Sequence, residues 1–397
     1  MTAVANPLSY LTEQLDSWKT AGTFQHLRVL ESACEPISRV DGREVINLAS
    51  NNYLGLADHP KLIEAAVAAA KKYGAGSGAV RTISGTMSLH MELERRIAAF
   101  KNTEACVVFQ SGFAANAGTV SAILTPEDHI VSDALNHASI IDGCRLSRAK
   151  IHVFPHRDTD RAGEILKGLE GVPGRKLLIT DGVFSMDGDI GPLPALVEHA
   201  ERYGAIMMID DAHSSGVLGR NGRGTVDHFG LHGRVAIQVG TLSKAIGVLG
   251  GYVCGSRDLI DFLYHRARPF LFSTSHPPSV AASCLAAFDI LENEPERIEK
   301  LWSNTRYFKD LLTGAGFNTG FSETPITPVM VGEAKTAHAF SKALFEEGLF
   351  ATGIGFPTVP EGKARIRTIV TATHTTEQLD RALEILVRVA KRMGILE

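Results

Sequence analysis

With 397 residues, 44% hydrophobic and 21% charged, the chain has the length for a large core and for two or three domains of an ordinary globular protein. A net charge of −4 argues against nucleic acid or an acidic membrane as partner, although a local pocket for an anion remains compatible with it. Residues 1–10 hold no basic stretch followed by an apolar core, and no apolar run approaches the ~20 residues of a bilayer span, so a cytoplasmic protein is expected.

The five cysteines (Cys34, Cys106, Cys144, Cys254, Cys284) are scattered and never spaced as Cys-x-x-Cys. They read as free thiols of a reducing compartment, with neither a disulfide framework nor a zinc site.

Residues 8–30 carry Leu8, Leu11, Leu15 and Trp18 at helical spacing, which predicts an amphipathic helix in an N-terminal arm or subdomain over 1–50. Asp41-Gly42 predicts a hairpin turn. An amide-rich loop follows at 47–56, then an alanine-rich helix over 59–73 that stops at Gly74. Gly74-Ala75-Gly76-Ser77-Gly78 follows a helix rather than a strand, so it fails the context test of a dinucleotide fingerprint. Residues 81–86 continue as polar loop, and a second helix begins near Ser88.

Seven short apolar runs come next, at 105–109, 129–132, 151–154, 177–180, 206–209, 236–239 and 251–254. Runs with little polar alternation, joined by crossovers long enough for helices, predict an α/β architecture: a mostly parallel seven-stranded sheet with helices on both faces. A large domain over 51–285 and a C-terminal α+β domain over 286–397 are expected. Within the latter, 364–370 reads as a strand and 376–393 as an amphipathic helix. Period two puts Arg365 and Arg367 on one face, either an exposed sheet face or a carboxylate site.

Ligands of such sheets sit beyond the carboxyl ends of the strands, which selects the residues just after each apolar run. After the first stands Ser111-Gly112-Phe113, opening a helix whose free N–H groups suit a phosphate as well as a plain tight turn. His137 follows the second run, Ser185 the fourth and Asp210-Asp211-Ala212-His213 the fifth. Thr241-Leu242-Ser243-Lys244 follows the sixth. Burying Asp210 at the end of Ile206-Met207-Met208-Ile209 requires a neutralising partner, such as a protonated pyridine ring. No ligand-spaced cluster accompanies the acidic pair, so no metal is expected. A lysine beside hydroxyls at a strand end can form a Schiff base, and the joint reading is pyridoxal phosphate bound to Lys244.

Over residues 47–374 the chain resembles the α-oxoamine synthase family of fold-type I pyridoxal-phosphate enzymes. The likeness rests on Asn51-Asn52-Tyr53-Leu54-Gly55-Leu56, SDALNHASIIDG at 132–143, DGVFSMDGDI at 181–190, ARIRT at 364–368 and Thr373-His374-Thr375. Asn52 points to the glycine C-acetyltransferase branch, because members that condense alanine with a pimeloyl thioester tend to have aspartate there. Ile83-Ser84-Gly85-Thr86 and Thr241-Leu242-Ser243-Lys244 are shared with members of wider acyl tolerance.

The resemblance implies that Lys244 holds the cofactor and later acts as general base, and that Asp210 keeps the pyridine nitrogen protonated. It implies that His137 stacks on the ring, that His213 and Ser185 bond near its phenolic oxygen, and that Ser111, Gly112, Phe113 and Thr241 hold the phosphate. Ser273 and Thr274 would come from the neighbouring subunit of a homodimer, and Arg367 with Asn52 would bind the substrate carboxylate. The expected reaction is acyl transfer from acetyl-CoA to glycine, with alanine and a pimeloyl donor as the alternative. A non-catalytic cofactor-binding sensor would need an effector module, and no basic DNA-binding segment is present.

Overall fold

Asp41 and Gly42 both adopt positive φ, 47° and 75°, and reverse the chain between β1 (Ile37–Val40) and β2 (Arg43–Asn47), with Val40 opposite Arg43. In the computed structural model, which describes residues 6–24 and 26–397, the apolar spacing of the arm gives a helix only over Tyr10–Thr20. Gly22, at φ 69°, ends it, and Thr23 N–H bonds back to Trp18 O at 2.9 Å. The expected helix over 8–30 is therefore too long, and its apolar stripe is exposed rather than packed. Residues 1–5, part of the segment read for a leader, lie outside the described residues, as does Gln25 of the segment read as helix.

The chain divides into two compact units, Asn51–Ser303 and a second one that joins the residues up to Ser50 with Asn304–Glu397. The apolar runs of the first unit form β3 (Ala105–Phe109), β4 (His129–Asp133), β5 (Lys150–Phe154), β6 (Lys176–Asp181), β7 (Ile206–Asp210), β8 (Ile237–Thr241) and β9 (Gly251–Gly255). They build one sheet in the order β3-β9-β8-β7-β6-β4-β5, in which only β9 runs against the others.

Period two sorts the strand residues into two layers. Ile130, Leu177, Ile179 and Met208 pack on one face with Val120, Ile140 and Ile260. Val131, Leu178, Met207 and Ile209 pack on the other with Leu166, Leu196 and Val197. Both faces are covered, which is why these strands carry so little polar alternation. The helix Pro278–Asn293 packs on Pro60–Tyr73 and Ser88–Lys101. It therefore belongs to this unit, whose border falls at 303 rather than at 285. Residues 81–86 are not plain loop: Arg81–Gly85 forms a π-helical turn in which Arg81 pairs with Glu94 at 2.8 Å.

In the second unit, β10 (Ile326–Gly332), β12 (Thr352–Ile354) and β13 (Ala364–Ile369) form an antiparallel sheet ordered β10-β13-β12, and β11 (Leu349–Phe350) adds in parallel to β2. Ile366, Val329, Phe340, Leu379 and Leu386 share its core. Arg365 is buried and Arg367 half-buried, so the exposed-face reading fails for this strand. Among the described residues no helix is long and apolar enough to cross a membrane.

One buried ion pair fixes the edge of the large sheet where its parallel strands end. Lys101 Nζ lies 2.6 Å from Asp211 Oδ2, both side chains fully buried, and donates to Arg223 O at 2.6 Å. Asp211 also accepts from Ser214 Oγ at 2.6 Å and from Thr225 N. Removing the cation would leave a buried, unpaired carboxylate. Lys101→Met is therefore expected to lower stability by about 3–5 kcal/mol, read from the midpoint of urea unfolding. An unchanged midpoint would refute this role for the pair.

Candidate active site

The carboxyl ends of β6, β7 and β8 bring the candidate residues to one edge. Asp181 and Asp210 stand opposite each other in the register of β6 and β7, and Asp210 stands opposite Val239 of β8. Both carboxylates are buried. Burial, then the negative charge of Asp210, pushes the Asp181 pKa well above the usual carboxylate range. Asp181 Oδ2 accepts the His137 backbone N–H at 2.7 Å. Asp210 is held by two neutral donors, Asn116 Nδ2 at 2.6 Å and Ala212 N at 2.8 Å.

Asn116 links Asp210 to His137. Its other amide hydrogen reaches Ser139 Oγ at 3.0 Å, and Ser139 Oγ–H in turn donates to His137 Nδ1 at 2.7 Å. Ser139 N also donates to that nitrogen, at 3.2 Å, so Nδ1 accepts and Nε2 carries the proton of the neutral ring. Burial lowers the His137 pKa; the negative charge of Asp210 opposes this and the positive charge of Lys244 assists it. His137, Asp181, Asp210 and Lys244 thus form one electrostatic group. His213 is buried, its Nδ1 2.7 Å from the hydroxyl of the fully buried Tyr53.

A second cluster gathers where β3, β8 and the reversed β9 meet, since Phe109 and Thr241 both pair with Gly251. A Cβ on Gly251 would overlap the Ser111 carbonyl, so only glycine lets the Ser111–Gly112 turn come this close. Ser111 caps the helix Gly112–Ile123, its Oγ accepting from Ala114 N at 3.0 Å, so the N–H groups of Gly112 and Phe113 make no bond within the helix. A Cβ on Gly112 would stand 3.4 Å from Thr241 Cβ, which makes this turn and the Thr241 side chain two walls of one cradle. Thr241 Oγ1 is oriented by Ser243 Oγ at 2.7 Å and Gly250 O at 2.8 Å.

These groups fit the pyridoxal phosphate expected from the sequence. A helix N-terminus and a hydroxyl suit its phosphate, and a buried carboxylate with only neutral donors suits its pyridinium nitrogen. A neutral imidazole suits its ring face, and Lys244 sits in the same electrostatic group.

The other expected residues lie on other segments of the chain. Ser185 is half-buried in the turn after β6. Thr274 is exposed, Ser273 is half-buried, and the Thr274 carbonyl accepts from Gln110 Nε2 of its own chain at 2.8 Å. Asn52 Oδ1 caps its own loop, accepting from Leu56 N at 3.0 Å and Ala57 N at 3.2 Å. Arg367 lies on β13 of the second unit. Asn116, Ser139, Asp181 and Tyr53 were assigned no role from sequence. For Asn116 a signal existed, because it follows Gly112 by one helical turn on the helix that opens at the cradle.

Residues 43–386 match the family described as aminotransferase class I and II. An 8-amino-7-oxononanoate synthase of Symbiobacterium thermophilum is 61% identical over 387 residues, covering 98% of this chain and 99% of that protein. 8-Amino-7-oxononanoate synthase 1 of Bacillus subtilis is 55% identical, with 98% of each chain covered. Among solved structures, a serine palmitoyltransferase from S. paucimobilis with a bound PLP–myriocin adduct superposes with a TM-score of 0.93 at 32% identity, over 98% of this chain and 100% of the other.

The Asn116–Asp210 bond can be tested directly. Asn116→Leu keeps the volume but leaves a buried carboxylate short of its nearest donor, with an expected loss of about 1–3 kcal/mol of stability in urea unfolding.

Proposed function

The chain belongs to the class I and II aminotransferase family, among its pyridoxal-phosphate-dependent α-oxoamine synthases, and from that premise we propose that it makes 8-amino-7-oxononanoate. The observation that carries this reading is the 61% identity, over nearly the full length of both chains, to a synthase of that name. The product's structure dictates the substrates. Its C8 and C9 are the α-carbon and methyl of alanine without the carboxyl group, and its C7 ketone is the carbonyl of a seven-carbon ω-carboxyacyl thioester. The Cα–acyl bond forms, the thiol departs, and the alanine carboxylate leaves as carbon dioxide.

This replaces the expectation of glycine and acetyl-CoA, which the 55–61% identical synthases overturn. That expectation leaned on Asn52. Asn52 Oδ1 is bonded to the backbone of its own loop, and with Arg367 Asn52 stays assigned to the substrate carboxylate on the resemblance.

Bound pyridoxal phosphate supplies an electron-withdrawing ring that spreads the charge left on the amino acid's α-carbon. Asp210, kept in place by Asn116 and Ala212, favours a proton on the pyridine nitrogen. His137 presents a neutral ring, oriented by Ser139. Lys244 Nζ anchors the cofactor, takes the α-proton once released and later returns a proton to the same carbon. Gly112 and Phe113 N–H groups and Thr241 Oγ1 bind the phosphate, with His213 and Ser185 assigned to the phenolic oxygen. Ser273 and Thr274 are assigned to the partner's site in a homodimer, and Arg367 to a substrate carboxylate, on the resemblance alone.

Steady-state thiol release, measured with alanine or glycine against pimeloyl or acetyl thioesters, tests the choice of substrates. Alanine with the pimeloyl donor should exceed glycine with the acetyl donor in kcat/KM by at least about tenfold, since one methyl group in a pocket is already worth that much. A preference for glycine and acetyl would overturn the reading. Lys244→Ala should lose the visible absorbance of the bound cofactor and at least about a thousandfold in rate.

A further inference from the structure

Two turns carry the residues assigned to the cofactor ring, and one imidazole ties them together. The first, after β4, runs from Asp133 to His137; the second, between Asp181 and Ile190, carries Ser185. His156, just beyond the end of β5, lies between them. Its Nδ1 is 3.0 Å from Asp133 Oδ1 and its Nε2 is 2.9 Å from Asp189 Oδ2. Its ring meets the Phe184 ring edge to face at 4.3 Å.

Each carboxylate is itself built into its turn. Asp133 accepts from Leu135 N at 2.8 Å and from Arg157 N at 2.9 Å. Asp189 closes the second turn, its carbonyl accepting Phe184 N at 3.0 Å while Gly188 N reaches Phe184 O at 2.8 Å. Ser185 sits inside that closure. The charged groups facing His156 are Asp133 from β4, Asp189 from the second turn and Arg157 beside it, whose guanidinium is 3.5 Å from Asp189.

We propose that His156 is a positioning residue: doubly bonded to Asp133 and Asp189, it fastens the turn that presents His137 to the turn that presents Ser185, and so holds both against the cofactor ring. The clamp needs both ring nitrogens as donors, hence a protonated ring. Burial alone would lower the His156 pKa, but the bonds to Asp133 and Asp189 outweigh it and raise the value to about 9. The folded value lies above the ordinary one, so the clamp is intact at neutral pH and is lost as pH rises through about 9.

This inference rests on the reading of His137 and Ser185 as ring contacts, and the test separates the two. His156→Gln and Asp189→Asn, singly and together, are assayed for the dissociation constant of pyridoxal phosphate and for the visible circular dichroism of the holoenzyme at saturating cofactor. Each single variant should weaken cofactor binding about tenfold, the order of one charge-assisted hydrogen bond, and reduce the dichroic band. The double variant should be little worse than either single one, because both break the same clamp. The gap to the wild type should close by about pH 10, a titration that a merely structural role would not produce.

Folded variants with wild-type affinity and dichroism, whatever their melting temperature, would overturn the proposal; should His156→Gln fail to fold, the near-isosteric Asp189→Asn decides alone. If His137→Ala and Ser185→Ala leave both readouts unchanged, the ring-contact reading fails instead.

Discussion

Everything at the catalytic edge answers to one constraint: two strands in register end in carboxylates that face each other out of water. Asp181 and Asp210 are neighbours by the pairing of β6 with β7, and no side-chain motion can separate them far. Burial and the charge of Asp210 push Asp181 toward its protonated form, and neutral donors from outside the sheet hold both groups, the His137 backbone for one and Asn116 for the other. Asp210, buried and held only by neutral donors, makes the edge receptive to a pyridinium ring.

A second layer of buried polarity supports the first. Asp211 follows Asp210 directly but turns the other way, into the pair with Lys101 and the Thr225 backbone. The turn from Asp210 to His213 is thereby held on one side by an ion pair and on the other by Tyr53, so both side chains take their directions from residues outside the turn.

The sheet was legible because its strands are apolar on both faces and its crossovers are long, and the grouping of Lys244, Asp210 and His137 was legible because all three follow strand ends. What stayed hidden was pairing across large sequence distances. Asn116 meets Asp210 at a separation of 94 residues and Tyr53 meets His213 at 160, and neither residue type announces such a partner. For Arg365 the sequence left an exposed face and a carboxylate site both open, and it is buried with its Nε on the Lys363 carbonyl at 2.9 Å. The arm helix looked longer because spacing alone does not register Gly22 as a stop. The amino-acid preference was misread because a single amide in a loop was weighed above the likeness of the whole chain, which runs at 55–61% identity to 8-amino-7-oxononanoate synthases.

The reversed strand β9 has a bearing on how Lys244 can move. Because β9 returns to the edge that β8 has just reached, both ends of the segment 242–250 are pinned there. Thr241 Oγ1 and Leu242 N both bond to Gly250 O, and Val248 N closes on Leu242 O. Lys244 thus sits on a segment tied at both ends, so its side chain can reorient by rotation about its own bonds without movement of the whole loop. Such motions take picoseconds to nanoseconds, far from the microseconds to milliseconds of collective domain movements.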